Sequence, residues 1–215
     1  IVASGPNATT LHYQKSQRQT QDDDLLLMDV GAEFNYYAAD ITRTIPVGGK
    51  FTTAQATIYQ LVLDAQKAAI AVVRPGSSLR TINQAAVEVL KEGLHRLGLI
   101  TNKTSNQYRV FFPHGVSHFL GLDVHDVRHG EVLKTNMVLT VEPGIYVRSD
   151  SIQRLANQGV NENDLESIRP AVERFLNIGV RIEDDVRVTP TGFELLSDDA
   201  PREILEVEAM IMSNN

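Results

Sequence analysis

The sequence predicts an α+β protein whose antiparallel strands fall into two similar halves. Residues 24–31 (DLLLMDVG) and 35–47 read as consecutive strands, close enough in sequence to pair antiparallel. From Phe51 to Leu97 the apolar side chains change to helical spacing. The strand pattern then returns as an echo. LLLMDVG and MVLTVEPG are both apolar runs that end in an acid followed closely by Gly, while AADITRT and VRIEDDVRVT both embed an acid ahead of a Thr.

The first strand follows the acidic turn QDDD. Thr52 or Thr53 can cap the first helix, which turns Ile58, Leu61, Val62, Ala65, Ala69 and Val72 to one side, and RPG at 74–76 ends it. A second helix runs from Leu79 to Leu97 with Ile82, Ala86, Val89, Leu90 and Leu94 on one face, and Gly98 stops it. Residues 101–109 are polar and loop-like, and 137–147 (MVLTVEPGIYV) is strand-like again. Residues 148–178 are expected to form a long irregular surface excursion, followed by a strand and a turn over 178–192. No stretch has the composition of an interdomain linker.

The 215 residues suffice for a sizeable core. The net charge is −7 with no basic block, which argues against nucleic acid or an anionic membrane as the main partner. No apolar run reaches the roughly 18 residues of a membrane span. The absence of cysteine excludes disulfides and a thiol nucleophile. The chain starts at Ile1 without an initiator Met and is expected to be a processed chain or a fragment.

Asp29, Asp40, Glu142 and Glu183 are carboxylates set in apolar, strand-like runs, where an uncompensated charge is costly. His114, His118 and His125 fall within FFPHGVSHFLGLDVHD, a stretch otherwise mostly apolar. Neutral imidazoles ligate metals and carry protons. Each residue has a bland reading alone: Asp29 as an edge residue, Glu142 as a turn residue, Glu183 as a partner of Arg181 or Arg187, His118 as a core histidine. Taken together, four carboxylates and a histidine make a hard, oxygen-rich set whose charge two divalent cations would balance. That is the arrangement of two-metal hydrolases, which clamp a water between the ions. His95, on a helix beside Arg96, reads as surface, and His129 lies outside the apolar settings.

LHY (11–13), MDVGAEFNYYAADITRT (28–44), PHGVSHFLGLDVHD (113–126), VEPGIY (141–146) and GVRIEDDV (179–186) occur in this order along nearly the whole chain. They resemble the catalytic region of the aminopeptidase P and prolidase group, the pita-bread metallopeptidases, including its eleven-residue step from Asp29 to Asp40. The resemblance implies a pita-bread fold: a curved antiparallel sheet in pseudo-two-fold halves, covered by helices. It implies that Asp29, Asp40, His118, Glu142 and Glu183 hold two divalent ions, Mn²⁺ ahead of Co²⁺ or Zn²⁺. Asp40 and Glu183 would bridge them, and Glu142 would also accept the attacking water's proton. His114 and His125 would flank the substrate, with Tyr146 at the site's edge. His12 would steady the tetrahedral intermediate and Arg181 would pair with the bridging carboxylates.

The implied reaction is hydrolysis of the N-terminal Xaa-Pro bond, as by an Xaa-Pro aminopeptidase. The alternatives are an Xaa-Pro dipeptidase (prolidase) and a pita-bread binding module without catalysis. HGVSH and RIEDDV lean to aminopeptidase P, whereas the 41-residue step from Glu142 to Glu183 leans to prolidase. Expected partners are peptides with proline second and further copies of the chain; a cytoplasmic location is expected. Residues 1–215 are expected to be a catalytic domain truncated at its N-terminus, without the family's N-terminal domain or the fold's first helices. Leu25 and Leu27 should then lie on an open sheet face that favours association. Arg128 stands where relatives usually carry Gly.

Overall fold

The computed structural model describes residues 1–128 and 130–213; His129 lies outside the described residues. In the first half, β1 (Val2–Ser4), β2 (Leu25–Val30) and β5 (Ile41–Pro46) form an antiparallel sheet in the order β1-β2-β5. The register sets Leu25 opposite Pro46 and Asp29 opposite Thr42. A small hairpin, β3 (Glu33–Phe34) and β4 (Tyr37–Ala38), interrupts the expected second strand. Its two-residue turn holds Asn35 and Tyr36 at φ of 50° and 67°, the left-handed pair that a tight hairpin needs. β5 therefore begins only after Asp40.

Two helices follow. Thr52 and Gln55 form a capping box at the start of α1 (Thr53–Ala71), and Ser78 caps α2 (Leu79–Arg96). Ile58, Val62, Ala65 and Ala69 of α1 pack with Ile82, Ala86, Leu90 and Leu94 of α2 in the main core. A Cβ at Gly93 would lie 2.2 Å from the buried Leu61 side chain and force it to move, so glycine lets the two helices pack this closely.

In the second half, β6 (Val138–Val141) pairs with β9 (Asp184–Val188) and β9 with β10 (Phe193–Leu195), all antiparallel. β7 (Gly144–Tyr146) pairs antiparallel with β8 (Gly179–Arg181). The halves meet at an antiparallel bridge between Thr42 and Glu183. Each predicted long strand is broken at its acid: β6 and β7 flank Glu142–Pro143, and β8 and β9 flank Ile182–Glu183.

Residues 148–178 do not form an irregular excursion. They contain α3 (Ser151–Asn157) and α4 (Glu162–Arg174), capped by Asn161. Their polar faces masked a sparse inner stripe of Leu155, Leu165, Ile168 and Val172, all buried, and Pro170 inside α4 disguised its period. A last helix, α5 (Ile204–Met212), packs on α1 and β5 and was not expected. The open sheet face is also corrected. Leu25 and Leu27 are 3% and 2% exposed, Leu25 in the main core and Leu27 in a cluster with Ala3, Ala8 and Tyr146.

Candidate active site

One cleft of about 310 Å³ is lined by His12, Asp29, Asp40, His114, His118, His125, Glu142, Arg181 and Glu183, with Leu11, Gly115 and Ser117. The folding of each half explains the convergence. Asp29 is the last residue but one of β2 and Asp40 precedes β5 in the first half; Glu142 and Glu183 occupy the two strand breaks of the second. The loop that carries the histidines is laced to β6. The Glu142 N–H donates to the Val116 carbonyl (2.7 Å), and the Thr140 N–H donates to that of His118 (2.9 Å).

Ligand atoms of Asp40, His118 and Glu183 lie within 4.8 Å of one another. His118 Nε2 is 3.6 Å from both Asp40 Oδ2 and Glu142 Oε1. Its Nδ1 lies 3.2 Å from the Phe119 carbonyl, which only an N–H at that atom satisfies. In the neutral ring the lone pair on Nε2 then faces the acids, as a metal-ligating histidine requires. Glu183 is 2% exposed, and its Oε1 has no hydrogen-bond partner among the described residues. Its Oε2 accepts the Thr42 hydroxyl at 2.6 Å. A buried carboxylate oxygen left open beside other acids and an imidazole lone pair fits a divalent cation.

The acids destabilise one another's charge. Burial, then the neighbouring carboxylates, raises Glu183 well above the ordinary carboxylate range. Burial lifts Glu142 to about 7 despite His118 and Arg181, with Asp40 and Asp29 adding to the rise. Asp29 is also raised, by burial and against the pull of Arg181. For His118, burial opposes the imidazolium, but Asp40, the Phe119 carbonyl and Glu142 outweigh it and raise the pKa.

Arg181 organises the floor. Its Nη2 donates to Asp29 Oδ2 at 2.5 Å, its Nε to the Thr42 hydroxyl at 3.0 Å and its Nη1 to the Tyr146 hydroxyl at 3.0 Å. It therefore touches Asp29 directly and reaches Glu183 only through Thr42. The bland pairing of Glu183 with Arg187 does not occur; Arg187 pairs with Glu194 instead. Tyr146 is not at the cleft's edge but behind it, 1% exposed. His114 is neutral, because burial lowers its pKa to about 4. Its Nδ1 must donate to the Gly115 carbonyl at 2.7 Å, so its Nε2 accepts the Tyr146 O–H at 2.9 Å. A directed chain thus runs from Arg181 through Tyr146 and His114 to Gly115. His125 is exposed, its ring 4.3 Å from that of His118. His12, exposed at the lip, has a left-handed backbone (φ 52°).

Sequence reasoning missed Thr42, the buried relay between Arg181 and Glu183. Its signal was the alternation of Thr42 and Thr44 in β5, both fully buried. It also missed Asp185, whose carboxylate accepts the Asp40 backbone N–H. Three successive acids entering a strand, Glu183 to Asp185, were the clue.

Residues 1–190 match metallopeptidase family M24. The chain belongs to this family. The Xaa-Pro aminopeptidase of Haemophilus influenzae is 41% identical over 221 residues, covering 98% of this chain and 47% of that protein. The Xaa-Pro aminopeptidase of Escherichia coli is 39% identical over 223 residues, covering 99% and 46%. A solved structure of zinc-substituted E. coli aminopeptidase P in complex with product has a TM-score of 0.87 and 39% identity, over 100% of this chain and 47% of that one. The fold is the pita-bread fold, as the resemblance implied. The M24 chain spans about half the length of the curated relatives it matches. Among its described residues no helix is long and apolar enough to cross a membrane.

Proposed function

We propose that this M24 chain carries the catalytic centre of an Xaa-Pro aminopeptidase, which hydrolyses the bond between an N-terminal residue and a following proline. The observation that carries this is the convergence of Asp40, His118 and Glu183 ligand atoms in a cleft shared with Asp29 and Glu142, with the Glu183 Oε1 oxygen left open. The 39–41% identical Xaa-Pro aminopeptidases support the substrate class.

In this reading Asp29, Asp40, His118, Glu142 and Glu183 would hold two divalent ions in the shared cleft. The oxygen-rich set favours Mn²⁺, with Co²⁺ or Zn²⁺ as alternatives. When bound, the ions supply Lewis acidity and a water activated at neutral pH. Glu142 takes a proton at a carboxylate oxygen and returns it to the departing proline nitrogen. That delivery is needed because an amide nitrogen, of proline or of any other residue, is a poor leaving group until it gains a proton. His114 forms a fixed neutral wall, both ring nitrogens being engaged by Gly115 and Tyr146. His125 borders the substrate on the other side, and His12 at the lip donates to the oxygen that gains charge. Arg181 holds Asp29 and, through Thr42, Glu183 in place.

Residues 1–215 form the catalytic domain in this proposal. Homo-oligomerisation and a cytoplasmic location belong to it too, supported by the family resemblance alone. The test is hydrolysis of Xaa-Pro dipeptides, Xaa-Pro-Yaa tripeptides and longer peptides by the Mn²⁺-loaded protein. Release of Xaa from tripeptides and longer chains supports the reading. Cleavage confined to dipeptides points to a prolidase, and bound metal without cleavage points to a binding module.

A further inference from the structure

Arg43 and Asp185 do not line the cleft, and no step above uses them. Each nevertheless grips the backbone of an acid on the opposite half of the molecule. Asp185 of β9 accepts the Asp40 N–H on its two carboxylate oxygens, at 3.1 and 3.3 Å. Arg43 of β5 donates from Nη1 to the backbone carbonyls of Glu183 (2.6 Å) and Thr42 (2.9 Å). The Thr42 carbonyl also accepts the Glu183 N–H at 3.1 Å. The first half therefore holds Glu183 by its carbonyl, and the second holds Asp40 by its amide. The two grips flank the bridge that joins the halves.

Arg43 is fully committed. Its Nη2 donates to Asp184 Oδ1 (2.6 Å) and the Ala200 carbonyl (2.8 Å), and its Nε to the Pro201 carbonyl (3.0 Å). Asp184 is completely buried and also accepts from Arg202, Ser197 and Gln66. Only a planar fork with five N–H groups reaches all these acceptors; a lysine ammonium offers three donors from one point. A buried network satisfied on this scale is stiff.

Asp29 and Asp40 come from one half of the fold, and His118, Glu142 and Glu183 from the other. Each half alone has ligands for one ion. A second ion beside the first would draw on Asp40 and Glu183 from opposite halves, so the spacing of these two acids across the bridge would have to be set closely. We propose that Arg43 and Asp185 are positioning residues that form a reciprocal clamp, fixing the spacing of Asp40 and Glu183 and thereby the affinity for a second divalent ion. This rests on the metal-site reading above.

The test is calorimetric titration of Mn²⁺ into metal-free wild type, Arg43→Lys, Asp185→Ala and Asp185→Asn, with the metal-free Tm of each recorded. Arg43→Lys and Asp185→Ala should keep the first ion and weaken the second by about tenfold or more, the scale of a lost outer contact. Asp185→Asn keeps an oxygen for the Asp40 N–H and should restore the second ion. Equal affinities in all four proteins would overturn the clamp. So would a proportional weakening of both ions that tracks a fall in Tm, the mark of a purely structural role. A wild type that binds fewer than two ions brings down the metal-site reading and the clamp with it, and that failure is visible before any variant is compared.

Discussion

Replacing Glu142 with Gln should stabilise the metal-free protein at pH 8. Glu142 is 18% exposed, close to Asp40 and Asp29, and burial first, then these acids, lifts its pKa from 4.5 to about 7. A carboxyl whose folded pKa is raised binds its proton more tightly in the folded chain. Its contribution is fully present below about 4.5 and is lost as the pH rises through 7. The shift of about 2.5 units corresponds to roughly 3 kcal/mol. At 2–4 °C per kcal/mol for a chain of this size, that is a Tm change on the order of 10 °C. The Gln amide has the same shape and cannot ionise, so it removes the pH-dependent part alone. The assay is thermal unfolding of chelator-treated wild type and Glu142→Gln at pH 5 and pH 8. The wild type should lose roughly 5–10 °C more than the variant between these pH values. Equal losses would refute the claim that burial and the neighbouring acids disfavour the Glu142 charge in the metal-free cleft.

Three further outcomes follow from the geometry. His118→Ala should lose metal affinity, because its Nε2 faces Asp40 and Glu142, whereas His125→Ala should keep the metal and lose turnover. Equal metal loss in both variants would contradict that division. Tyr146→Phe removes the hydroxyl between Arg181 and His114 and leaves their nitrogens unpaired. It should cost about 1–3 kcal/mol of stability and lower kcat more than KM changes. An unchanged Tm and kcat would show that the relay through His114 is idle.

Much of this was legible in the sequence because its signals were local. Period-3.6 apolar spacing and a Thr cap located α1 and α2 to within a residue or two, and the acid–Gly echo announced two halves. What escaped detection depends on tertiary context. Strand breaks at Asp40, Glu142 and Glu183 free those side chains to converge, and period-2 alternation carries no mark of a break. Helices α3 and α4 bury only a narrow stripe, so polarity outweighed periodicity. The resemblance sets Tyr146 at the site's edge, but β7 turns its hydroxyl inward to Arg181. Leu27 was expected to be open for want of covering helices, but Ala3, Ala8 and Tyr146 from distant segments cover it. The four acids and the histidines at 114, 118 and 125 were visible as polarity set in apolar runs, whereas His12, Arg181 and Tyr146 rested on the family resemblance alone. The threonine and arginine that tie the halves together looked like ordinary strand residues.

Metal content is the most direct test of the central claim. The protein is saturated with Mn²⁺, dialysed, and its metal per chain measured for the wild type and for Glu183→Gln. Two ions per wild-type chain, falling to one or none in the variant, are predicted from the open Glu183 oxygen in the shared cleft. Fewer than two ions in the wild type, or two ions undisturbed by the substitution, would contradict a dinuclear centre built on these five residues.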